Sequence, residues 1–224
     1  MPVQTDDTEP DTPLLFGRVL DGKGGGRPIL WDEARTWQKG APGEVLWLHL
    51  CRNRPGVQEW LESGLSIPEP TAELLTSDET RPRAFREGDT LVATLRGINF
   101  NPGAEPEDMI SMQVWSDGDR LITLRRFPLQ TPREVLAQVD RGNGPPDAGA
   151  TITLLAELLI GRMSQSIVDM NDALDRLEET DPDEMAESML TQISMIRRNC
   201  LGLKRHMAPQ HEALEQISRD APRW

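Results

Sequence analysis

The 224-residue chain has little cysteine, and its two cysteines do not suggest a disulfide framework. Cys51 and Cys200 lie far apart along the chain, whereas small secreted domains held together by disulfides carry dense, closely spaced cysteines. A reducing compartment is therefore the simpler interpretation. A chain of this length buries roughly 70% of its unfolded surface, so it needs no covalent staple to fold.

Basic charge is also scarce. The chain has 24 Lys and Arg residues against 37 Asp and Glu residues, which gives a formal net charge of −13. Binding to nucleic acid requires a basic face that neutralises the phosphates. We therefore expect no nucleic-acid partner.

Long apolar runs are missing as well. Runs such as Val45–Leu48 are much shorter than the ~20 residues that cross a bilayer, so we expect no transmembrane segment within this sequence. Residues 1–13 contain four acids and neither Lys nor Arg, the opposite of the basic start of a secretory signal peptide. Their Asp, Thr and Pro content predicts a disordered acidic tail.

Residues 14–149 alternate between short strand and short helix patterns. The clearest strand is 45–51, whose two alternating faces are both largely apolar. Such a strand is buried on both sides, which predicts an α/β/α sandwich with a mixed sheet. Further strands are predicted at 14–20, 90–100, 110–115 and 120–125, and helices at 31–38, 55–63, 68–76 and 131–140.

Residues 150–208 have a different pattern. Apolar residues from Met163 to Leu177 are spaced alternately by four and three positions, and those from Ala186 to Met207 repeat the spacing. A period of 3.5 is typical of helices packed side by side, so the α/β/α domain is followed by a long antiparallel helical hairpin. Pro209 is predicted to end the second arm, and residues 209–224 to start a third helix that buries nothing.

The strongest electrostatic feature is the end of the hairpin where its two arms meet. Between residues 169 and 187, Arg176 is the only base. The acids there are Asp169, Asp172, Asp175, Glu178, Glu179, Asp181, Asp183, Glu184 and Glu187. They lie off the apolar seam, so they form either a solvated outer face or a surface that concentrates cations. No EF-hand loop accompanies them, which argues against strong Ca²⁺ binding.

Two smaller groups are candidate metal ligands. His206, His211 and Glu212 surround Pro209 and offer zinc-binding chemistry, although the basic residues beside them would repel a cation. His49 and Cys51 are neighbours on one strand face, where ordinary packing is the commoner explanation than half of a metal site. Three scattered histidines give little support to a metal-dependent enzyme, so we predict that the chain is not an enzyme.

One run is more specific than these patterns. It is RGINFNPGAEPEDM at residues 96–109, preceded by ETRPR at residues 79–83. Together with the early strand and the two seamed helices, it resembles the CorA superfamily of divalent-cation channels and transporters, and within it the zinc-transporting ZntB-like branch. The residues that carry the resemblance are Arg81, Arg96, Gly97, Asn99, Asn101, Pro102, Gly103, Glu105 and Asp108. We assign them structural roles, with Arg96 expected to contact a nearby carboxylate such as Glu105, Glu107 or Asp108.

The resemblance implies that the chain is the cytoplasmic funnel domain of an inner-membrane zinc transporter, assembled from five sister subunits. Zinc would be the transported ion, and no cofactor is implied. Residues 209–224 would start a truncated stalk helix, and no pore residue can be carried over because no position matches the pore signature. The alternative is a binding module whose acidic helical hairpin docks a basic partner.

Overall fold

The computed structural model describes residues 12–104, 108–179 and 182–224, without the side chains of residues 182–187. The strands are β1 (Leu14–Leu20), β2 (Gly26–Pro28), β3 (Val45–Cys51), β4 (Arg83–Glu87), β5 (Thr90–Gly97), β6 (Ile110–Ser116) and β7 (Arg120–Arg125). The helices are α1 (Trp31–Arg35), α2 (Val57–Leu65), α3 (Glu69–Thr76), α4 (Gln130–Asp140), α5 (Ala148–Glu178) and α6 (Pro182–Arg219).

The strands form one mixed sheet in the order β2-β1-β3-β7-β6-β5-β4. β3 and β7 run parallel, with Trp47 opposite Leu121, and the other neighbours are antiparallel. The strands predicted at 110–115 and 120–125 are confirmed as β6 and β7, which pair as a hairpin around the Asp117-Gly118 turn.

Helices cover both faces of the sheet, as the strand pattern of β3 predicts. Leu46, Leu48 and Leu50 are buried in the core under α1, α2 and α3. Val45 and Trp47 are buried in a second core with α4 and α5 on the opposite face. The predicted α/β/α sandwich is therefore confirmed.

Two strands were not predicted from the sequence, and both lie at the edges of the sheet. β2 pairs with β1 alone, and β4 pairs with β5 alone. An edge strand is covered less completely than a central one and carries charged residues or proline. The segments GRP and RAFRE therefore lack the apolar alternation that reveals central strands.

The predicted end of the second hairpin arm at Pro209 is wrong, because α6 continues through Pro209 to Arg219. The residues after the proline contribute to the core, contrary to the prediction that they bury nothing. Ala213 is buried, and Leu214 and Ile217 pack against the core that contains α5. Proline in a helix interior removes one backbone hydrogen bond and costs ~3 kcal/mol. Packing of the last three turns against β4 and β5 offsets that cost.

Gly97 allows α5 to lie close to the sheet. A Cβ atom at this position would lie 2.5 Å from Leu159 Cδ2 and 3.2 Å from Leu129 Cδ1. Both leucines are buried, so neither has free space to move into. The glycine of the Arg-Gly-Ile-Asn motif is thus required by packing between β5 and the helical layer.

We expect Gly97→Ala to lower the free energy of unfolding by about 1–3 kcal/mol through overpacking. Urea unfolding of the purified chain measures this. Gly161→Ala is the matched control, since nothing lies within 4 Å of the added Cβ and alanine in a helix interior gains about 0.5–1 kcal/mol over glycine. Equal effects of the two substitutions would contradict the role of Gly97.

Candidate functional site

The two arms of the hairpin pack along the predicted seam. Met163, Met170 and Leu203 are buried in a small core together with Ile98 and Met109. The seam prediction is thereby confirmed for these three residues, whereas Cys200 and Met207 of the predicted seam are exposed.

Two sulfur contacts fix how the arms are aligned. Cys200 Sγ lies 3.7 Å from Met170 Sδ, and Gln210 Nε2 lies 3.9 Å from Met163 Sδ. The α5 segment 163–170 therefore runs beside the α6 segment 200–210.

The acidic surface of the hairpin faces solvent where the structure describes it. The exposed acids are Asp169, Asp172, Asp175, Glu178 and Glu179. Asp181 lies outside the described residues, as do the side chains of Asp183, Glu184 and Glu187. The described acids lie off the seam, in agreement with either a solvated face or a surface that attracts cations.

A groove of about 650 Å³ runs along α6 and carries the opposite charge. Its lining residues are Asp108, Ser194, Arg197, Arg198, Leu201, Gly202, Arg205 and His206. The sequence interpretation missed this basic face, although the four-residue spacing of Arg197, Leu201 and Arg205 places them on one side of a helix.

The structure does not bring His206, His211 and Glu212 together. His206 and His211 are five residues apart on one helix and so point about 140° away from each other. His206 lines the basic groove, whereas His211 is exposed with Nε2 3.7 Å from Glu215 Oε1. Burial lowers the pKa of His206, and the charges of Arg96 and Arg205 lower it further. Within the described part of the chain, no group of three or more His, Cys, Asp or Glu side chains is arranged to hold a metal ion.

Among the described residues, the Arg96 side chain contacts two backbone carbonyls and a threonine hydroxyl, and the expected contact with Asp108 is not made. Its Nε donates to the Thr80 carbonyl at 2.9 Å, its Nη1 donates to the Met109 carbonyl at 2.8 Å, and its Nη2 donates to Thr80 Oγ1. Asp108 lies at the α6 groove instead, and Glu105 and Glu107 lie outside the described residues. Arg96 thus joins the segment before β4 to the segment before β6.

The backbone of Arg96 is bound by a residue that the sequence interpretation did not identify. Gln210 Oε1 accepts from the Arg96 N–H at 2.7 Å, and Gln210 Nε2 donates to the Arg96 carbonyl at 2.9 Å. β4 pairs with β5 only as far as Arg83 opposite Thr94, so the amide of Gln210 replaces a strand at this edge. No local sequence signal marks a glutamine for this role.

The turn after β5 is capped by a side chain. Asn99 Oδ1 accepts from the backbone N–H of Asn101 at 3.0 Å and from Asn101 Nδ2 at 2.8 Å. Gly103 has a φ of 79°, a conformation that favours glycine. Pro102 follows Asn101 in the same turn, and Arg81 is exposed before β4.

His49 is a core residue of β3. Its ring stacks on Phe16 with centroids 4.9 Å apart, and its Nδ1 lies 2.9 Å from Thr123 Oγ1. Burial holds the pKa of His49 well below its ordinary value of 6.5, and the charges of Arg125 and Arg133 add to the effect. This environment supports the packing interpretation of the His49 and Cys51 pair.

Helix α5 has the length and apolar composition of a membrane span, and it is the one such helix among the described residues. Composition alone is weak evidence, because the core helix of a globular domain has the same properties. Here Leu155 and Leu159 are fully buried against the sheet, so the apolar half of α5 serves the domain core.

An α/β/α sandwich that carries a long helical hairpin defines the class of domain, and comparison with known proteins gives the family. The family described as CorA-like Mg²⁺ transporter protein matches residues 42–224. The chain belongs to this family.

The divalent cation transporter CmaX of Pseudomonas aeruginosa is 38% identical over 213 residues, which cover 94% of this chain and 64% of CmaX. The solved structure of full-length CmaX matches with a TM-score of 0.88, over 94% of this chain and 65% of that one. The chain therefore spans somewhat less than two thirds of this relative.

Zinc transport proteins named ZntB are also similar. ZntB of Pectobacterium carotovorum is 31% identical over 208 residues, covering 92% of this chain and 61% of that protein. The crystal structure of the ZntB cytoplasmic domain from Vibrio parahaemolyticus has a TM-score of 0.80 at 23% identity and covers 94% of this chain and 81% of that one. This last match supports the fold of a cytoplasmic domain of the family.

We expect Gln210→Ala to lower the free energy of unfolding by about 2 kcal/mol, because it leaves a partly buried N–H and a partly buried carbonyl of Arg96 without these partners. Urea unfolding measures the change. Gln216→Ala, at an exposed position on the same helix, should change stability by no more than about 0.5 kcal/mol. A harmless Gln210→Ala would show that the amide does not anchor the hairpin.

The buried His49 predicts a loss of stability in acid. Below its ordinary pKa of 6.5 the unfolded chain binds a proton that the folded chain does not accept, so stability falls as the pH falls. Between about pH 7.5 and about pH 5.5 the wild type should lose about 1.4 kcal/mol more than His49→Leu. Urea titrations at both pH values measure this, and identical losses would disprove a neutral buried imidazole.

Proposed function

We propose that the chain is the cytoplasmic domain of an inner-membrane divalent-cation transporter, with zinc as the transported ion and four sister subunits as partners. The observation that carries this proposal is the match to full-length CmaX, at 38% identity and a TM-score of 0.88 over 94% of this chain. The match includes the hairpin as well as the sandwich, since so little of the chain is left out.

The acidic surface of the hairpin would attract cations to this domain. Exposed carboxylates at high density raise the local concentration of cations without holding any one ion. A transported ion must also leave, so a surface without a convergent ligand cluster suits transport better than a tight site does. The described residues contain no such cluster, which supports attraction of ions rather than storage or catalysis.

The proposal also names zinc as the transported ion. The relatives named zinc transport proteins support it at about 31% identity, whereas the 38% identical CmaX is named only for divalent cations. Transport measurements must therefore compare Zn²⁺ with Mg²⁺, Co²⁺ and Ni²⁺.

The competing proposal is a binding module whose acidic hairpin docks a basic partner. The exposure of Asp172 and Asp175 to solvent favours it as much as it favours cation attraction. The two proposals differ in whether the domain supports metal flux when it is joined to a pore.

A chimera tests the proposed function directly. In CmaX, the segment that matches this chain is replaced by the chain, and the protein is reconstituted into liposomes with a metal-sensitive dye inside. We expect uptake of divalent cations, with Zn²⁺ among the ions transported. Unmodified CmaX and CmaX without the segment are the controls, and a folded, inserted chimera without flux would reject the proposal.

Neutralising the acidic surface in the same chimera tests its role. The changes are Asp169→Asn, Glu178→Gln and Glu179→Gln. Uptake at low metal concentration should fall about tenfold at low salt, and the difference should vanish at high salt, where charges are screened.

The matched control neutralises three exposed acids of the sandwich instead. The changes are Asp32→Asn, Glu59→Gln and Glu69→Gln. This control should keep its uptake, because the residues are remote from the hairpin surface. Equal losses in the two variants would show that only total charge matters.

A further inference from the structure

The two arms of the hairpin turn oppositely charged faces to solvent. On α5, Asp172 and Asp175 are exposed together with Val168, whose side chain is 48% exposed. On α6, Arg197 and Arg205 line the groove together with Leu201, which is 57% exposed. Each face thus has an exposed apolar side chain flanked by charges of one sign.

The acidic face lies on the side of α5 that points away from α6. At about 100° per residue, Asp172 and Asp175 lie roughly 200° and 140° around the helix from the buried Met170, and Val168 lies at about 160°. The three side chains therefore share one outer face.

The basic face lies on the side of α6 that points away from α5. Leu201 and Arg205 are both about 160° around the helix from the buried Leu203, on either side of its far face, and Arg197 is at about 120°. The hairpin is thus acidic on one broad side and basic on the other.

Both faces lie at the same height along the hairpin. Met170 contacts Cys200, and the arms are antiparallel, so residues 172–175 of α5 lie beside the α6 residues just before Cys200. Arg197 is located there, and Val168 is at the level of Leu201 and Leu203. A second hairpin placed alongside the first, without any shift along its axis, would set Asp172 and Asp175 against Arg197, and Val168 against Leu201. Arg205 would lie about one turn or more nearer the sandwich.

We propose that the acidic α5 face of one copy of this chain docks into the basic α6 groove of the next copy. The contact is head-to-tail, because it joins two different faces, and repetition of such a contact builds a ring when no axial step accompanies it. An apolar centre with a charged rim is the usual anatomy of a protein interface. The contact would assemble the subunits of the transporter proposed above and rests on that proposal.

The contact leaves the rest of the acidic surface free. It uses Asp172 and Asp175, while Glu178 and Glu179 lie nearer the end of the hairpin and remain in solvent. Assembly and cation attraction are therefore assigned to different acids of the same helix.

Charge exchange tests the contact on the purified chain, without metal or membrane. One variant reverses the basic face (Arg197→Glu with Arg205→Glu), and another reverses the acidic face (Asp172→Lys with Asp175→Lys). Sedimentation at low salt over a range of concentrations should show an association constant about tenfold lower for each variant than for the wild type. An equimolar mixture of the two variants should associate again, because each supplies the face that the other has lost.

The controls separate the contact from net charge. Lys23→Glu with Arg35→Glu makes the same charge change on the sandwich as the first variant does on α6, and Asp32→Lys with Glu73→Lys matches the second; both should associate like the wild type. Unchanged association in the hairpin variants, a mixture that does not recover, or a wild type that stays monomeric at its solubility limit would overturn the proposal. Because the readout is association, a chimera that fails to transport leaves this result unaffected, and the reverse also holds.

Discussion

The position of the hairpin depends on one pair of hydrogen bonds, between the side-chain amide of Gln210 and the backbone of Arg96. The bonds replace a strand at the point where β4 no longer pairs with β5. Because a buried backbone group without a partner costs ~1–3 kcal/mol, the two bonds hold the end of α6 in one register against the sheet. The positions of the hairpin residues farther from the sheet depend on this junction.

The motif that suggested the family lies at the same junction. The Arg96 guanidinium joins Thr80 to Met109, and Gly97 leaves room for Leu159 of α5. Three elements thus converge on two consecutive residues of β5. The contacts of Arg96 and Gly97 therefore join the sandwich to the hairpin, which agrees with the structural role expected for this motif.

The sequence predicted structure correctly where buried and exposed positions alternate regularly along a strand or a helix. Alternation in Val45–Cys51 predicted a strand covered on both faces, and the 3.5 period from Met163 to Leu177 predicted the hairpin, because both patterns record burial directly. Pro209 was misleading, because the rule that proline ends a helix takes no account of how the residues after it pack against the sheet. Gln210 gave no signal, because its partner Arg96 is remote in sequence and the bond uses only an amide that any exposed glutamine also has.

Charge on the hairpin shows how one helix can serve two needs. An interface requires that acids be matched by bases, which removes their field, whereas attracting cations requires that acids stay unmatched. In the proposed contact the two needs are met by position, since Asp172 and Asp175 lie level with Arg197 of α6, while Glu178 and Glu179 lie beyond it. A ring assembled through the first pair would bring together the unmatched acids of every copy, and because their potentials add, assembly would strengthen the very field that draws cations to the hairpins.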